Sequence, residues 1–184
     1  MTRRILISLA VLTVFSVSTL VLAQGGFKKI SEVLSGYEET PAAISTTGSG
    51  EFHARISNDE SRIDWELSYS DLQGAVQQSH IHFGRPGTSG GITVFLCTNL
   101  GNGPAGTQPC PAPPATISGT IVAADVSPNI PATAAARAQG LNTGEIDELI
   151  QAIRSGSTYV NVHSTTWPGG EIRSQIDGNS GHQH

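Results

Sequence analysis

Strict alternation of apolar and polar residues is the feature that most constrains how this chain can fold. It runs through residues 50–57 and again through residues 63–69. The apolar positions are Phe52, Ala54, Ile56, Ile63, Trp65, Leu67 and Tyr69. Successive side chains of a strand point to opposite faces, so each run would bury one face. Asn58-Asp59-Glu60 between the runs is typical of a turn. The pattern therefore predicts a β-hairpin with one buried face.

Further short apolar runs predict more strands along the chain. They cover residues 79–83, 92–96, 117–122, 159–164 and 171–176. The 21 glycines and ten prolines, with only 14% charged residues, fit short strands joined by many turns. We expect a mainly β protein, an antiparallel β-sandwich or barrel with Greek-key-like connections.

One stretch has helical rather than strand periodicity. Its apolar residues are Ile146, Leu149, Ile150 and Ile153. Asn142 and Glu145 have capping-box spacing ahead of them, and Gly156 follows as a stop signal. This predicts one short helix that packs on the core, whereas residues 123–140 give no clear pattern.

The two ends of the chain are predicted to lie outside the folded domain. Residues 1–23 join two arginines to an apolar run that closes with Val21-Leu22-Ala23, the pattern of a cleaved signal peptide. An uncleaved membrane anchor is the alternative. Residues 24–33 are interpreted as a lead-in and residues 177–184 as a disordered tail. We expect an exported protein, periplasmic or secreted, with no membrane attachment after cleavage.

Cys97 and Cys110 are the only cysteines. In an oxidising compartment such a pair predicts a disulfide, which would close the Gly- and Pro-rich residues 98–109. A thiolate metal ligand or nucleophile is the alternative, but no Cys-x-x-Cys spacing supports it.

Net charge limits the possible partners. The whole chain carries a formal charge of −5, which becomes −7 once residues 1–23, with two arginines and no acidic residue, are removed. Nucleic acids and anionic membrane surfaces are bound by basic footprints. Neither is therefore an expected partner.

Three histidines share polar strand faces. His80 and His82 lie two apart on one predicted strand, and Tyr159, Asn161 and His163 share a face of another. Three imidazoles suit copper or zinc, so we predict a surface metal site made by His80, His82 and His163. Glu171 is the possible fourth ligand.

The alternative for the same residues is structural. The histidines would then join Tyr159, Asn161, Glu171 and Arg173 in a hydrogen-bond network, with Glu171 and Arg173 as a same-face ion pair.

These stretches also carry a family resemblance. Residues 79–87 (SHIHFGRPG) and 159–173 (YVNVHSTTWPGGEIR), with residues 34–41 (LSGYEETP) upstream, resemble the CHRD domain family, named after chordin and widespread in secreted bacterial proteins. The resemblance covers residues 34–176, with Ser79, Ser164 and Ser174 as departures and residues 98–114 as an insertion. It places the three histidines at motif positions and implies an extracellular domain.

Enzyme motifs in the chain lack the structural context that they need. Ser89 sits in a Gly-x-Ser-x-Gly match between two predicted strands, whereas that elbow joins a strand to a helix. A superoxide-dismutase-like metalloenzyme would need a bridging His and further ligands that are not recognisable here. We therefore expect a non-enzymatic binding module. The alternative is an interaction module that meets an extracellular protein through residues 97–110 and 164–170.

Overall fold

The structure is a computed structural model and describes residues 29–177. The predicted signal peptide and nearly all of the predicted tail lie outside these residues. Eight strands are present in the described chain: β1 Lys29–Ser35, β2 Ser49–Ile56, β3 Arg62–Ser70, β4 Val76–Phe83, β5 Gly91–Thr98, β6 Ala115–Val122, β7 Thr158–Ser164 and β8 Ile172–Ile176. The two α-helices of this part of the chain are α1 Ala134–Ala138 and α2 Ile146–Arg154.

All eight strands belong to one antiparallel sheet, which curls into a nearly closed barrel. Their order is β5-β4-β7-β8-β1-β2-β3-β6. The prediction of a mainly β, antiparallel protein is confirmed. Of the two predicted architectures, sandwich and barrel, the structure has the barrel. The predicted hairpin is also confirmed: β2 and β3 pair in register, with Ala54 opposite Trp65 and Phe52 opposite Leu67. Their apolar faces line the barrel interior.

The barrel has one seam, between its outermost strands β5 and β6. The Gln108 side-chain amide donates hydrogen bonds of 3.2 Å to the carbonyl oxygens of Leu96 on β5 and Ser118 on β6. Gln108 lies in the loop closed by the predicted disulfide between Cys97 and Cys110, which the structure contains. The disulfide loop therefore spans the seam and links its two sides.

The predicted helix is present as α2. Its side chains Leu149, Ile150 and Ile153 are at most 1% exposed, so the apolar stripe does face the core. The helix begins at Ile146, and the Glu145 carboxylate accepts a 2.7 Å hydrogen bond from the Asn142 backbone nitrogen just before it. No helix among residues 29–177 is long and apolar enough to cross a bilayer.

One strand and one α-helix were not predicted. β1 occupies the end of the expected lead-in and continues to Ser35, pairing with β2 along its whole length. The single-helix expectation is wrong, because α1 lies in the unassigned residues 123–140. This helix packs directly on β5: a Cβ on Gly91 would lie 2.1 Å from the Ala136 backbone nitrogen. The close packing therefore requires glycine at position 91.

Candidate metal centre

The faces of β4, β7 and β8 that carry polar residues form a second buried region, separate from the barrel core. The apolar side chains of these strands, among them Ile81 and Val160, enter the barrel core. The opposite face is also buried, with all seven residues of β7 shielded from solvent. His80, His82 and His163 are 0%, 7% and 6% exposed. The predicted surface location is therefore wrong: the site is covered by segments distant in sequence.

Strand register brings the three histidines together. β4 and β7 are neighbours, His80 lies opposite Asn161, and His82 lies opposite Tyr159. One ring nitrogen from each of the three histidines lies within 4.8 Å of the other two. The sequence expectation that His163 joins the His-x-His pair on one face agrees with this arrangement.

Hydrogen bonds to carbonyl groups fix the protonation of two rings. His82 Nδ1 lies 3.0 Å from the carbonyl oxygen of Gly90, and His163 Nδ1 lies 3.0 Å from that of Pro168. A carbonyl only accepts, so each Nδ1 carries the proton and each Nε2 presents a lone pair. The two carbonyls therefore orient the rings by the kind of bond that commonly supports metal-binding histidines.

Two of the ring nitrogens have no partner. His80 Nδ1 lies 3.3 Å from His163 Nε2. Nε2 of His80 and Nε2 of His82 are buried without a hydrogen bond in the described chain. Buried polar groups are nearly always hydrogen-bonded, so two such atoms in one cluster are unusual.

The cluster is held neutral. Burial, followed by the neighbouring His163 and His82, holds the pKa of His80 well below its ordinary value. Burial also lowers the pKa of His82 to about 4, and it lowers that of His163. Near neutral pH all three imidazoles are therefore unprotonated, the form that binds metal.

Tyr159 and Arg173, both expected in a structural network, stack beside the cluster. Arg173 is 2% exposed, and its guanidinium carbon lies 3.5 Å from the centre of the Tyr159 ring. The Tyr159 hydroxyl accepts a 3.1 Å hydrogen bond from the Gly90 backbone nitrogen. The same glycine thus contacts His82 through its carbonyl and Tyr159 through its nitrogen, which ties the covering loop to the site.

Glu171 lies in a different environment from the one expected. Its Oε1 accepts hydrogen bonds of 2.6 Å from the Thr46 hydroxyl and 2.7 Å from the Gln73 backbone nitrogen. It does not belong to the group of potential ligands within residues 29–177 that contains the three histidines. Instead of pairing with Arg173, it ties the segment before β2 to the turn before β8.

The structure adds Glu39, for which no role was predicted from the sequence. Glu39 is 8% exposed, and burial raises the pKa of its carboxyl to about 7, while Thr40, Arg173 and the Asn161 amide act in the opposite direction. Its position within residues 34–41, one of the three segments that carry the family resemblance, was the available signal. Proximity to the site depends on folding and has no local pattern.

A small antiparallel barrel with a buried cluster of three histidines defines the class of this protein. The sequence model of the CHRD domain family matches residues 30–176. The chain belongs to the CHRD domain family. Neither a curated protein sequence nor a solved structure matches it.

Proposed function

We propose that this protein is an exported, non-enzymatic binding module that holds one copper or zinc ion through His80, His82 and His163. Membership of the CHRD domain family and the Cys97–Cys110 disulfide support action outside the cytosol. The observation that carries the metal assignment is the cluster itself: one ring nitrogen from each of three buried histidines lies within 4.8 Å of the other two, and His82 Nε2 has no hydrogen bond in the described chain.

Counting protons favours an ion over a closed hydrogen-bond network. His82 Nδ1 and His163 Nδ1 hold their protons against carbonyls, so both Nε2 atoms are acceptors. Only His80 has a ring proton left to donate, and it can satisfy one of them. A cation can accept several lone pairs at once, whereas the single remaining proton satisfies only one.

The spacing also suits a first-row metal. Zinc–imidazole bonds of about 2.0–2.1 Å at tetrahedral angles separate two ligand nitrogens by about 3.3–3.4 Å. The distance between His80 Nδ1 and His163 Nε2 is 3.3 Å. Imidazole donors suit copper and zinc, whereas calcium and magnesium prefer oxygen ligands.

Isothermal titration calorimetry with Zn²⁺ and with Cu²⁺ tests the proposal. The reference protein carries His182→Ala and His184→Ala, which remove the two histidines nearest the end of the chain. We expect one ion per chain, and His82→Ala should weaken binding at least about 100-fold because a direct ligand is lost. His53→Ala removes a partly exposed histidine on β2 and is the matched control. Absence of binding, or equal affinity in His82→Ala, would refute the metal site.

A second candidate function is recognition of an extracellular protein by the disulfide loop. Leu100, in that loop, is 50% exposed and would form part of such a contact surface. Binding of such a partner should survive His82→Ala but not Leu100→Asp. A pull-down comparing the two variants separates this function from metal binding.

A further inference from the structure

Asn161 lies on the same face of β7 as His163 and in direct contact with it. It is 2% exposed, and its Oδ1 is 3.0 Å from His163 Nε2. Asn161 also lies opposite His80 in the β4–β7 pair, with His82 two residues further along β4. Two neighbouring strands thus bring four side chains to one point, two from β4 and two from β7.

The contact between Asn161 and His163 lacks a proton. His163 Nδ1 donates to the Pro168 carbonyl, so Nε2 of this ring is a lone pair. Oδ1 of a carboxamide is also an acceptor. Two acceptors 3.0 Å apart and buried repel each other unless something positive lies against both.

We propose that Asn161 Oδ1 is the fourth ligand of the metal ion and that Glu39 is the positioning residue that keeps the Asn161 amide in this orientation. This inference rests on the proposed function. It completes the donor set as three nitrogens and one oxygen, the four ligands that a closed zinc site uses.

Glu39 suits the positioning role because a carboxamide donates only through its nitrogen. A Cβ built on Gly170 would lie 2.8 Å from Asn161 Nδ2 and closer still to Glu39 Oε1, so both groups border the same small space. Oε1 has no hydrogen-bond partner in the described chain and is available to Nδ2. With Nδ2 directed to Glu39, Oδ1 faces the histidines.

The opposite orientation of the Asn161 amide would give a different set of hydrogen bonds. Nδ2 would donate to His163 Nε2, and Oδ1 would face Glu39. Asn161 would then belong to a hydrogen-bond network and would contribute nothing to an ion. The two orientations differ in what substitution of Asn161 does to metal binding.

Titrations with Zn²⁺ and Co²⁺, in the protein carrying His182→Ala and His184→Ala, distinguish the orientations. Co²⁺ reports its coordination through its visible spectrum. Asn161→Ala should lower Zn²⁺ affinity at least about tenfold and change the Co²⁺ spectrum, because water replaces a protein ligand. Asn102→Ala, in the disulfide loop, is the amide control and should change neither. Affinity within twofold of the reference, with an unchanged spectrum, would overturn the assignment of Asn161.

A second substitution keeps the test decisive if Asn161→Ala fails to fold. Combined with Glu39→Gln, which removes the carboxylate that would otherwise repel it, Asn161→Asp preserves the shape and turns the oxygen donor into a carboxylate, so Zn²⁺ should bind at least about tenfold more tightly than to Glu39→Gln alone. Equal or weaker binding would overturn the assignment. For Glu39, Glu39→Leu removes the acceptor and should weaken binding about tenfold, whereas Glu39→Gln keeps an oxygen and should stay within threefold of the reference. An unchanged affinity in Glu39→Leu would refute its positioning role.

The proposed function and this inference fail differently. If the reference protein binds neither ion, both are refuted. If it binds one ion that His82→Ala releases but Asn161→Ala retains with an unchanged spectrum, only the fourth ligand is wrong.

Discussion

The imidazole of His82 stacks on the phenol ring of Tyr159, with the ring centroids 4.6 Å apart and the planes within 4° of parallel. Arg173 approaches the same phenol ring from β8, the neighbour of β7 on the side away from β4. His82 is thereby held by the Tyr159 ring, by the Gly90 carbonyl and by its own position on β4. A histidine fixed in this way keeps one orientation, which is what a pre-arranged ligand needs.

We predict that the stack matters for ion binding. Tyr159→Leu fills part of the same volume but removes the flat surface against which His82 rests. Zn²⁺ affinity, measured by calorimetry, should fall about tenfold because His82 gains rotational freedom. Tyr159→Phe keeps the ring and should retain nearly all of the affinity. Equal affinities in the two variants would show that the stack has no such role.

Gly170 should not tolerate a side chain. Its φ is +133°, and a Cβ would meet the Glu39 carboxylate and the Asn161 amide nitrogen. Gly170→Ala should therefore lower the free energy of unfolding in urea by about 2–4 kcal/mol. Gly169→Ala is the matched control, because a Cβ there has nothing within 4 Å. A similar small effect at both positions would contradict the packing described for Glu39.

The buried histidines should make the apo protein less stable in acid. The pKa of His82 is lowered to about 4, whereas in the unfolded chain it is near 6.5. Between these values the unfolded chain binds more protons, so this stabilisation is present above pH 6.5 and is lost as pH falls toward 4. His82 alone would account for a loss of about 3 kcal/mol. Urea unfolding of the wild type and of His82→Phe should show a shallower acid decline in the variant. Identical slopes would contradict a neutral His82.

Glu39 should act in the opposite direction. Burial raises the pKa of its carboxyl from 4.5 to about 7, so the folded protein binds the extra proton between these values. Its contribution is present below pH 4.5 and is lost as pH rises through 7. In Glu39→Gln, the free energy of unfolding should therefore rise more steeply between pH 4.5 and 7 than in the wild type. An equal slope in the two proteins would indicate that Glu39 is ionised throughout.

The buried face of α2 can be tested with a pair of substitutions. Ile153 is 1% exposed, so Ile153→Asp buries an unpaired charge and should cost about 3–5 kcal/mol of stability, measured by thermal or urea unfolding. Gln151→Asp, on the exposed side of α2, should stay within about 0.5 kcal/mol. Equal effects would mean that the buried face of α2 is misplaced.

We predict that the mature chain begins at Gln24 and lacks free thiols. Intact mass before and after alkylation without reduction measures both properties. The disulfide is present in the structure, whereas signal cleavage is a prediction from residues 1–23. A mass that retains residues 1–23 would refute cleavage.

Local patterns predicted the strands and the shared faces but not what lies over them. The period-two spacing of His80 and His82 indicated one face, and the structure agrees. The burial of that face depends on Glu39 and on the turns around Gly90 and Pro168, which reach it only in the folded chain. Local spacing contains no information about such distant coverage.

The missed elements have local explanations as well. β1 places Val33, 70% exposed, between the buried Ile30 and Leu34, so its alternation is imperfect. α1 is only five residues long and follows two prolines, which obscured its helical character. Both elements are stabilised by neighbours distant in sequence, β1 by β2 and α1 by β5.

The seam bridged by Gln108 has a consequence for how the protein behaves in a crowded environment. A sheet with two unpaired outer strands presents ready templates for intermolecular strand addition and fibrillar aggregation. Here β5 and β6 face each other, and the Gln108 side chain donates a hydrogen bond to one carbonyl oxygen of each strand. The disulfide makes this protection covalent, since the loop carrying Gln108 stays anchored even when the surrounding chain fluctuates. Reduction of the disulfide would therefore release the loop that carries Gln108 and leave the edges of β5 and β6 without their bridge.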